Sequence, residues 1–314
     1  MLLSYVFSFR NEEQNIPELV RRVSAASAQI HDLDYEMIFV NDDSSDRSLE
    51  LLMELQEEHP ITVINMSRRF GVTPCVLAGM AHARGDAVVY MDTDLQDPPE
   101  LVPQLVDKFR AGADVVHTTR TQRQGEGRLK LWLTKQAYRV INMFSDIELP
   151  ESTGDFKLLS ARVVEHILEL DEYDPYMRGL SVWVGYNQEF VYYVREARYG
   201  GEAKFPVFSR GPAQEFIRGL TAYSAAPLYI SFGIGLVTCL FAAILILYAL
   251  LTKLFGIAAP GTSGVLIAVA FFSGIVLITN GVIGIYIARI YYEVKNRPRY
   301  IIREVLRHKQ SDEK

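Results

Sequence analysis

The stretch Val88–Glu100, VVYMDTDLQDPPE, runs from apolar residues straight into three acidic ones, Asp92, Asp94 and Asp97, within six positions. Like charges this close repel. Either a cation stands between them or each has a separate structural task. The apolar part, extended back to Ala87, reads as a buried strand that ends at Asp92. Around it, short β-branched runs alternate with helical patterns. Strands are predicted at Leu2–Phe9, Glu36–Asn41, Thr62–Met66, Ala87–Asp92 and Asp114–Thr118, and helices at Asn15–Ile30, Asp46–Glu58, Thr73–Ala83 and Pro98–Arg110. Several of the strands are apolar without alternation, the pattern of strands covered on both faces. Strand–helix alternation of this length predicts an α/β fold, a doubly wound, mostly parallel sheet with helices on both faces. Ligands of such sheets bind beyond the carboxyl ends of the strands.

Three predicted strand ends deliver acidic or amide side chains to that edge: Asn11, Glu12 and Glu13; Asp42 and Asp43; Asp92 and Asp94. Asp97 differs. With Pro98 next and Glu100 three residues on, it reads as a helix N-cap with a capping box. Two carboxylates one residue apart at a strand end suit a hard divalent cation, Mg²⁺ or Mn²⁺, completed by substrate phosphates. Such a cation also neutralises a departing diphosphate. The chain has neither a phosphate-binding loop of the G-x-x-x-x-G-K-[ST] type nor a G-x-G-x-x-G fingerprint. Phosphate chemistry with a metal and without either motif points to a nucleotide-sugar enzyme. Further on, Ser152–Ser160, STGDFKLLS, places Asp155 in a glycine-containing turn before a helical segment. Spacing alone makes it a cap or turn residue. Between Thr119 and Arg139 lie Arg120, Arg123, Arg128, Lys130, Lys135 and Arg139 against Glu126 alone. This block reads either as a solvated basic helix or as an anion-binding arm.

The chain of 314 residues is 49% hydrophobic with a net charge of −6, and its charge is unevenly spread. Ala225–Leu251 and Leu254–Ala288 carry no charged side chain. Each exceeds the roughly 20 apolar residues that cross a bilayer. Four segments are therefore expected: a catalytic domain over 1–204, an interfacial amphipathic segment over 205–224, a transmembrane hairpin over 225–288 with spans near 225–251 and 264–288, and a basic tail over 289–314. Phe216, Leu220 and Tyr223 recur at helical spacing in the interfacial segment. Arg210 and Arg218 precede the first span, and Arg289, Lys295, Arg297, Arg299, Arg303 and Arg307 follow the second, with Lys253 alone between. Positive charge stays inside, which puts both large ends in the cytoplasm. The start, MLLSYVFSF, lacks the basic region and cleavage site of a secretory leader. Cys75 falls in the soluble part and Cys239 in a span, so no disulfide or metal pair is expected.

With these residues in view, the chain resembles the family 2 glycosyltransferases of GT-A fold. Within them it is similar to the polyprenyl-phosphate sugar transferases, the group of bactoprenol glucosyltransferase and dolichol-phosphate mannose synthase. The resemblance rests on NEEQNI, FVNDDSSDRS, LAGMAHARGDAVVYMDTDLQDPPELVPQLV, TGDFKLL and MRGLSVWVGYNQEFVYYVREARYGGEAKFP, and it spans the membrane hairpin too. It implies that Glu12 and Asp42 contact the base and ribose, and that Asp92, Asp94 and Gln96 hold metal and diphosphate. It makes Asp155 the catalytic carboxylate. It puts Arg120 and Arg123 in the acceptor arm, and Arg178, Arg195, Arg198 and Lys204 on phosphates. Ser8-Phe9-Arg10 departs from the usual Pro-x-Tyr, and Ala203-Lys204-Phe205 from Ser-Lys-Tyr.

The function so implied is transfer of one sugar from a nucleotide-sugar donor, a UDP-hexose or UDP-N-acetylhexosamine, to undecaprenyl phosphate at the cytoplasmic leaflet. The product would serve cell-envelope glycan modification, such as that of O-antigen. The expected partners are the membrane, a homo-oligomer (a tetramer by family resemblance), a flippase and a downstream periplasmic glycosyltransferase, with no nucleic acid. Two other functions compete. A processive polysaccharide synthase would show more spans and a Gln-x-x-Arg-Trp motif, and the chain has neither. A non-catalytic nucleotide-sugar-binding partner of a flippase would have no need of Asp92, Asp94 and Asp155 together.

Overall fold

The computed structural model describes residues 1–123, 136, 138–145, 147–150, 153–195, 217–255 and 262–307. The chain forms two units, one of residues 1–143, 147–219 and 298–314, the other of 144–146 and 220–297. In the first, the elements run β1 (Leu2–Phe9), α1 (Ile16–Ser27), β2 (Asp34–Asn41), α2 (Ser48–Leu55), β3 (Ile61–Met66), α3 (Val72–His82) and β4 (Ala87–Asp92). A 3₁₀ turn at Pro99–Leu101 leads into α4 (Val102–Arg110). Then come β5 (Val115–Arg123), β6 (Thr153–Ser160), α5 (Ala161–Glu169), α6 (Met177–Trp183) and β7 (Gln188–Arg195). The second unit holds α7 (Ala226–Leu254) and α8 (Thr262–Lys295), and β8 (Ile302–Arg307) returns to the first.

One eight-stranded sheet has the order β7-β5-β6-β4-β1-β2-β3-β8. Strands β3, β2, β1 and β4 are parallel. β6 runs antiparallel between β4 and β5, and β7 is parallel to β5. The carboxyl ends of β1, β2, β4, β5 and β7, with the amino end of β6, therefore share one edge. The expected α/β sheet is present, and its first five strands lie where the apolar runs predict them.

Both faces of β1 are covered. Leu3, Tyr5, Phe7 and Phe9 on one face and Ser4 and Val6 on the other are all buried. Phe7 stacks on Phe39 of β2 with ring centres 4.6 Å apart. Against this face pack α1, through Ile16, Leu19, Val20 and Val23 at helical spacing, and α4, through Val102, Leu105 and Val106. Full burial of each such side chain contributes about 1.5–3 kcal/mol. On the other face α3 approaches so closely that a Cβ on Gly79 would meet Val6 Cγ1 at 2.4 Å. Only glycine fits there.

Three strands lie beyond those predicted: β6, β7 and β8. Residues 302–307, read from sequence as part of a basic tail, are the outermost strand, paired antiparallel with β3. Gln56 Nε2 ties the pair together, donating to Ile61 O at 2.7 Å and Leu306 O at 3.0 Å. Asn65 Nδ2 donates to Glu304 Oε1 at 2.9 Å. Arg299 adds hydrogen bonds to the carbonyls of Leu170 and Leu168, which end α5.

In the second unit, Ala226–Thr252 and Ile267–Lys295 have mean hydropathies of 2.7 and 2.1. The first of them is 27 residues long, about 40 Å, against a hydrocarbon core of about 30 Å. Their apolar side chains stand exposed, with Phe232 at 73% and Leu277 at 71%. That is not how the core helices of a soluble protein are buried. Of the expected interfacial segment, 205–216 lie outside the described residues and 217–222 are helical.

Candidate active site

The shared sheet edge carries nearly every residue singled out from sequence. Asn11 and Glu12 follow β1, Asp42 follows β2, and Asp92 ends β4. Asp94 and Gln96 lie on the loop after it. Arg120 and Arg123 end β5, Asp155 opens β6, and Arg195 closes β7. Tyr90 of β4 pairs with Lys157 of β6. Two residues further along each strand stand Asp92 and Asp155, so these carboxylates come off adjacent strands. The side chains of Arg123 and Arg195, and all of Arg198 and Lys204, lie outside the described residues.

The backbone here is bent into rarely used conformations. Asn11, Asp43 and Leu95 have φ of 56°, 62° and 58°. Asn and Asp adopt this region readily, whereas for Leu95 it costs roughly 1–3 kcal/mol. After β4 the chain alternates: Asp92, Asp94 and Gln96 are partly exposed, while Thr93, Leu95 and Asp97 are buried. The three predicted ligands thus keep access to solvent, and Asp94 Oδ1 accepts from the Gln96 amide at 3.2 Å to hold the turn.

Asp97 is not the helix cap expected of it. The turn at Pro99–Leu101 follows Pro98 with no side-chain cap, and Glu100 instead pairs with Arg22 of α1. Asp97 is fully buried and accepts from Arg120 Nη2 at 3.0 Å and from the Tyr193 hydroxyl. Arg120 Nε donates to the same hydroxyl at 2.9 Å. The Arg120 side chain is 9% exposed. The resemblance places it in an acceptor arm; here its guanidinium is held by Asp97 and Tyr193. Its guanidinium lies over the backbone of β6, where a Cβ on Gly154 would meet Nη2 at 2.7 Å. This close approach accounts for the glycine that reads as a turn signal.

Asp155 is likewise in a strand rather than a turn. Its carboxylate takes two hydrogen bonds from Arg178 of α6, Nε to Oδ1 at 3.0 Å and Nη2 to Oδ2 at 2.7 Å. Burial alone would raise this acid, but the charge and hydrogen bonds of Arg178, with Lys157 and Arg120 behind, hold it well below the usual carboxylate range. Asp92 behaves oppositely. Burial, then the charges of Asp155, Asp94 and Asp97, push it up to about 7. The two adjacent carboxylates are thus split in character by one guanidinium.

Glu12 and Asp42 are both buried. Glu12 accepts from Asn15 Nδ2 at 2.6 Å. Asp42 takes the amides of Phe70 at 2.6 Å and Gly71 at 3.0 Å, pinning the loop that starts α3. Sequence reasoning did not single out Tyr90, Lys157, Ser181 or Tyr193. The alternation in FVYYVR was an available signal for Tyr193; the other three carry none of that kind.

Residues 4–168 match the model of the family described as Glycosyl transferase family 2. An uncharacterized glycosyltransferase of Synechocystis sp. is 39% identical over 96% of this chain and 95% of its own. The prophage bactoprenol glucosyl transferase homolog of Escherichia coli is 38% identical over 97% and 99%. The bactoprenol glucosyl transferase of Shigella phage SfII is 37% identical over 97% and 98%. The family match runs from β1 into α5 and so contains every strand end that carries an acidic residue; the chain belongs to glycosyl transferase family 2 and is a glycosyltransferase with the GT-A type of α/β sheet.

Proposed function

We propose that this enzyme transfers one sugar from a UDP-hexose or UDP-N-acetylhexosamine to polyprenyl phosphate at the cytoplasmic face of a membrane. The observation that carries the reading is the clamp of Arg178 on Asp155, one strand from Asp92 and Asp94. It puts a partly exposed guanidinium beside two carboxylates suited to a cation, at the edge where such sheets bind ligands. Relatives that match nearly the whole chain are named for bactoprenol. The two exposed apolar helices supply a membrane anchor, and the positive charge after α8 orients it.

The donor set fits Mg²⁺ or Mn²⁺: Asp92, Asp94 and Gln96 offer oxygen ligands on one loop. Among the described residues no three His, Cys, Asp or Glu side chains converge. A cation held there would need substrate phosphates to complete its ligand set. Bound there, the cation would neutralise the charge developing on the departing nucleoside diphosphate.

The protein's own part is orientation. A phosphate oxygen of the lipid attacks the anomeric carbon as the bond from that carbon to the diphosphate oxygen breaks. A lipid phosphate with a second pKa of about 6 needs little deprotonation near neutrality. Asp155, tied down by two hydrogen bonds and held ionised, is a poor proton acceptor. It aligns Arg178, whose side chain keeps 29% exposure, to draw in the acceptor phosphate at near-attack distance. Glu12 and Asp42 shape the nucleotide end. Arg123, Arg195, Arg198 and Lys204 supply further positive charge, and Arg120 holds the metal loop through Asp97. The lipid-linked sugar would pass to a flippase and a periplasmic transferase for cell-envelope glycan modification.

The test is direct. Purified protein is incubated with undecaprenyl phosphate and a panel of UDP-glucose, UDP-N-acetylglucosamine and UDP-galactose, and lipids are read by mass spectrometry. One glycosylated phospholipid is expected. Donor turnover without any lipid product would reject the acceptor.

A further inference from the structure

Strand β6 carries a second charged side chain on the face that bears Asp155. Lys157 lies two residues on, so it projects to the same side. It is fully buried, which is rare for a lysine unless paired. Among the described residues no carboxylate forms an ion pair with it. Its Nζ donates to Ser181 Oγ at 2.8 Å and stands 5.7 Å from the centre of the Tyr90 ring. Burial draws its amine down to about 7, with Asp155 opposing and Arg178 reinforcing the shift. A methionine of similar length would fill this space without the cost of desolvating an amine. Something other than packing is needed to account for the residue.

Ser181 shows what that is. It too is fully buried, on α6, one helical turn beyond Arg178. A serine hydroxyl has one proton to give and lone pairs to receive. The proton goes to the Arg178 carbonyl at 3.1 Å, and the lone pair takes Lys157. The contacts close a ring. Asp155 holds the Arg178 guanidinium, the Arg178 backbone holds Ser181, Ser181 holds Lys157, and two residues of β6 lead back to Asp155. Two strand positions thus grip one short helix at two points a turn apart, which fixes both its height and its rotation over the strand.

We propose that Lys157 is a positioning residue for sugar transfer: through Ser181 it sets α6 against β6 and so keeps the Arg178 guanidinium aligned on Asp155. This rests on the reading of Asp155 and Arg178 given under the proposed function. Neither Lys157 nor Ser181 is solvent-exposed, so neither is placed to meet donor or acceptor. Their loss should therefore lower kcat and leave the donor KM alone.

The test uses the full-length chain in nanodiscs, undecaprenyl phosphate, and the UDP-sugar of the panel that turns over. Ser181→Ala, Lys157→Met and Asp155→Asn are compared with wild type, and thermal melts report the folded fraction of each. A misplacement of about 1 Å can cost roughly 100-fold in rate. Lys157→Met is expected to lose roughly 10- to 100-fold in kcat and Ser181→Ala about 10-fold, with donor KM within about twofold. Wild-type kcat per folded molecule in both, beside an Asp155→Asn impaired by about 100-fold, overturns the positioning role and leaves the proposed function standing. A raised donor KM with unchanged kcat overturns it as well. Full activity of Asp155→Asn removes the reading beneath it, and the positioning role falls too. If Lys157→Met does not fold, Ser181→Ala, which keeps the amine, decides the outcome alone.

Discussion

Asp155 and Arg178 lie 23 residues apart in sequence and meet through two parallel hydrogen bonds of 3.0 and 2.7 Å. Fork-on-carboxylate geometry of this kind both strengthens a pair and fixes its plane. It also sets the acid's ionisation. Held well below the usual range, Asp155 stays a carboxylate throughout the neutral region.

Asp155→Asn should therefore lower kcat by about 100-fold, by a factor that is nearly constant from pH 6 to 9. A proton-accepting role would instead make the defect shrink as the lipid phosphate loses its own proton. A pH–rate profile of the variant beside wild type distinguishes the two.

Asp94→Ala should keep the melting temperature of the parent and lose at least about 100-fold in sugar transfer. Chelator should do the same to wild type, with recovery on adding Mg²⁺ or Mn²⁺. Undiminished turnover of the variant in chelator would take the metal out of the reaction.

The pair between Asp97 and Arg120 predicts a stability effect. Its side chains are 0% and 9% exposed, so removing one partner strands a buried charge at a cost of about 3–5 kcal/mol. Asp97→Asn should then lower the melting temperature by roughly 6–20 °C, at about 2–4 °C per kcal/mol. A shift below about 2 °C would show the pair to be energetically idle.

His117 gives a pH dependence. Burial, then the charge of Lys157, push it down to about 3, while the 2.9 Å contact with Gln188 opposes the shift. The unfolded residue titrates near 6.5. Between these values the unfolded chain binds more protons, so stability is lost as pH falls through about 6.5 towards 3. The slope is up to about 1.4 kcal/mol per unit. In His117→Gln this slope should vanish, and melts from pH 4 to 7 should be less acid-sensitive than those of wild type. Equal sensitivity would contradict the assignment.

The proposed membrane anchor can be checked in cells. In a chain freed of Cys75 and Cys239, Ile257→Cys should react with an impermeant thiol reagent from outside the cytoplasm, and Arg297→Cys only after permeabilisation. The reverse pattern would reject the orientation.

How much of this is legible in the residues depends on where each side chain finds its partner. β1 to β5 read clearly because apolar runs such as YVFSF declare burial on both faces without help from elsewhere. β6 does not. Asp155 and Lys157 interrupt its apolar pattern, and what shelters them, Arg178 and Ser181, comes from more than twenty residues on. Gly154 adds a turn signal, although its lack of a Cβ serves Arg120. Asp97 misleads for a related reason: Pro98 and Glu100 make a convincing local cap, while the partner that wins is Arg120, across the sheet. Edge strands β7 and β8 mix charged and apolar residues because, among the described residues, one side of each has no strand beside it. At the site, the acidic strand ends were readable as a group, whereas the split between Asp92 and Asp155 depends on one guanidinium that sequence spacing cannot place.

Strand β8 has a consequence for how the protein is made. Synthesis runs from the amino terminus, and domains generally fold as units in that order. Here the sheet cannot be finished in that order. β3 waits with an open edge while α7 and α8 are translated, and it is closed by residues 302–307, which follow both helices. Both apolar helices are therefore made before the catalytic sheet can be sealed. A chain stalled or cut within α8 would carry every acidic residue of the site and still present a raw β-edge, a ready template for aggregation. Completion of the catalytic sheet is thus tied to completion of the two apolar helices.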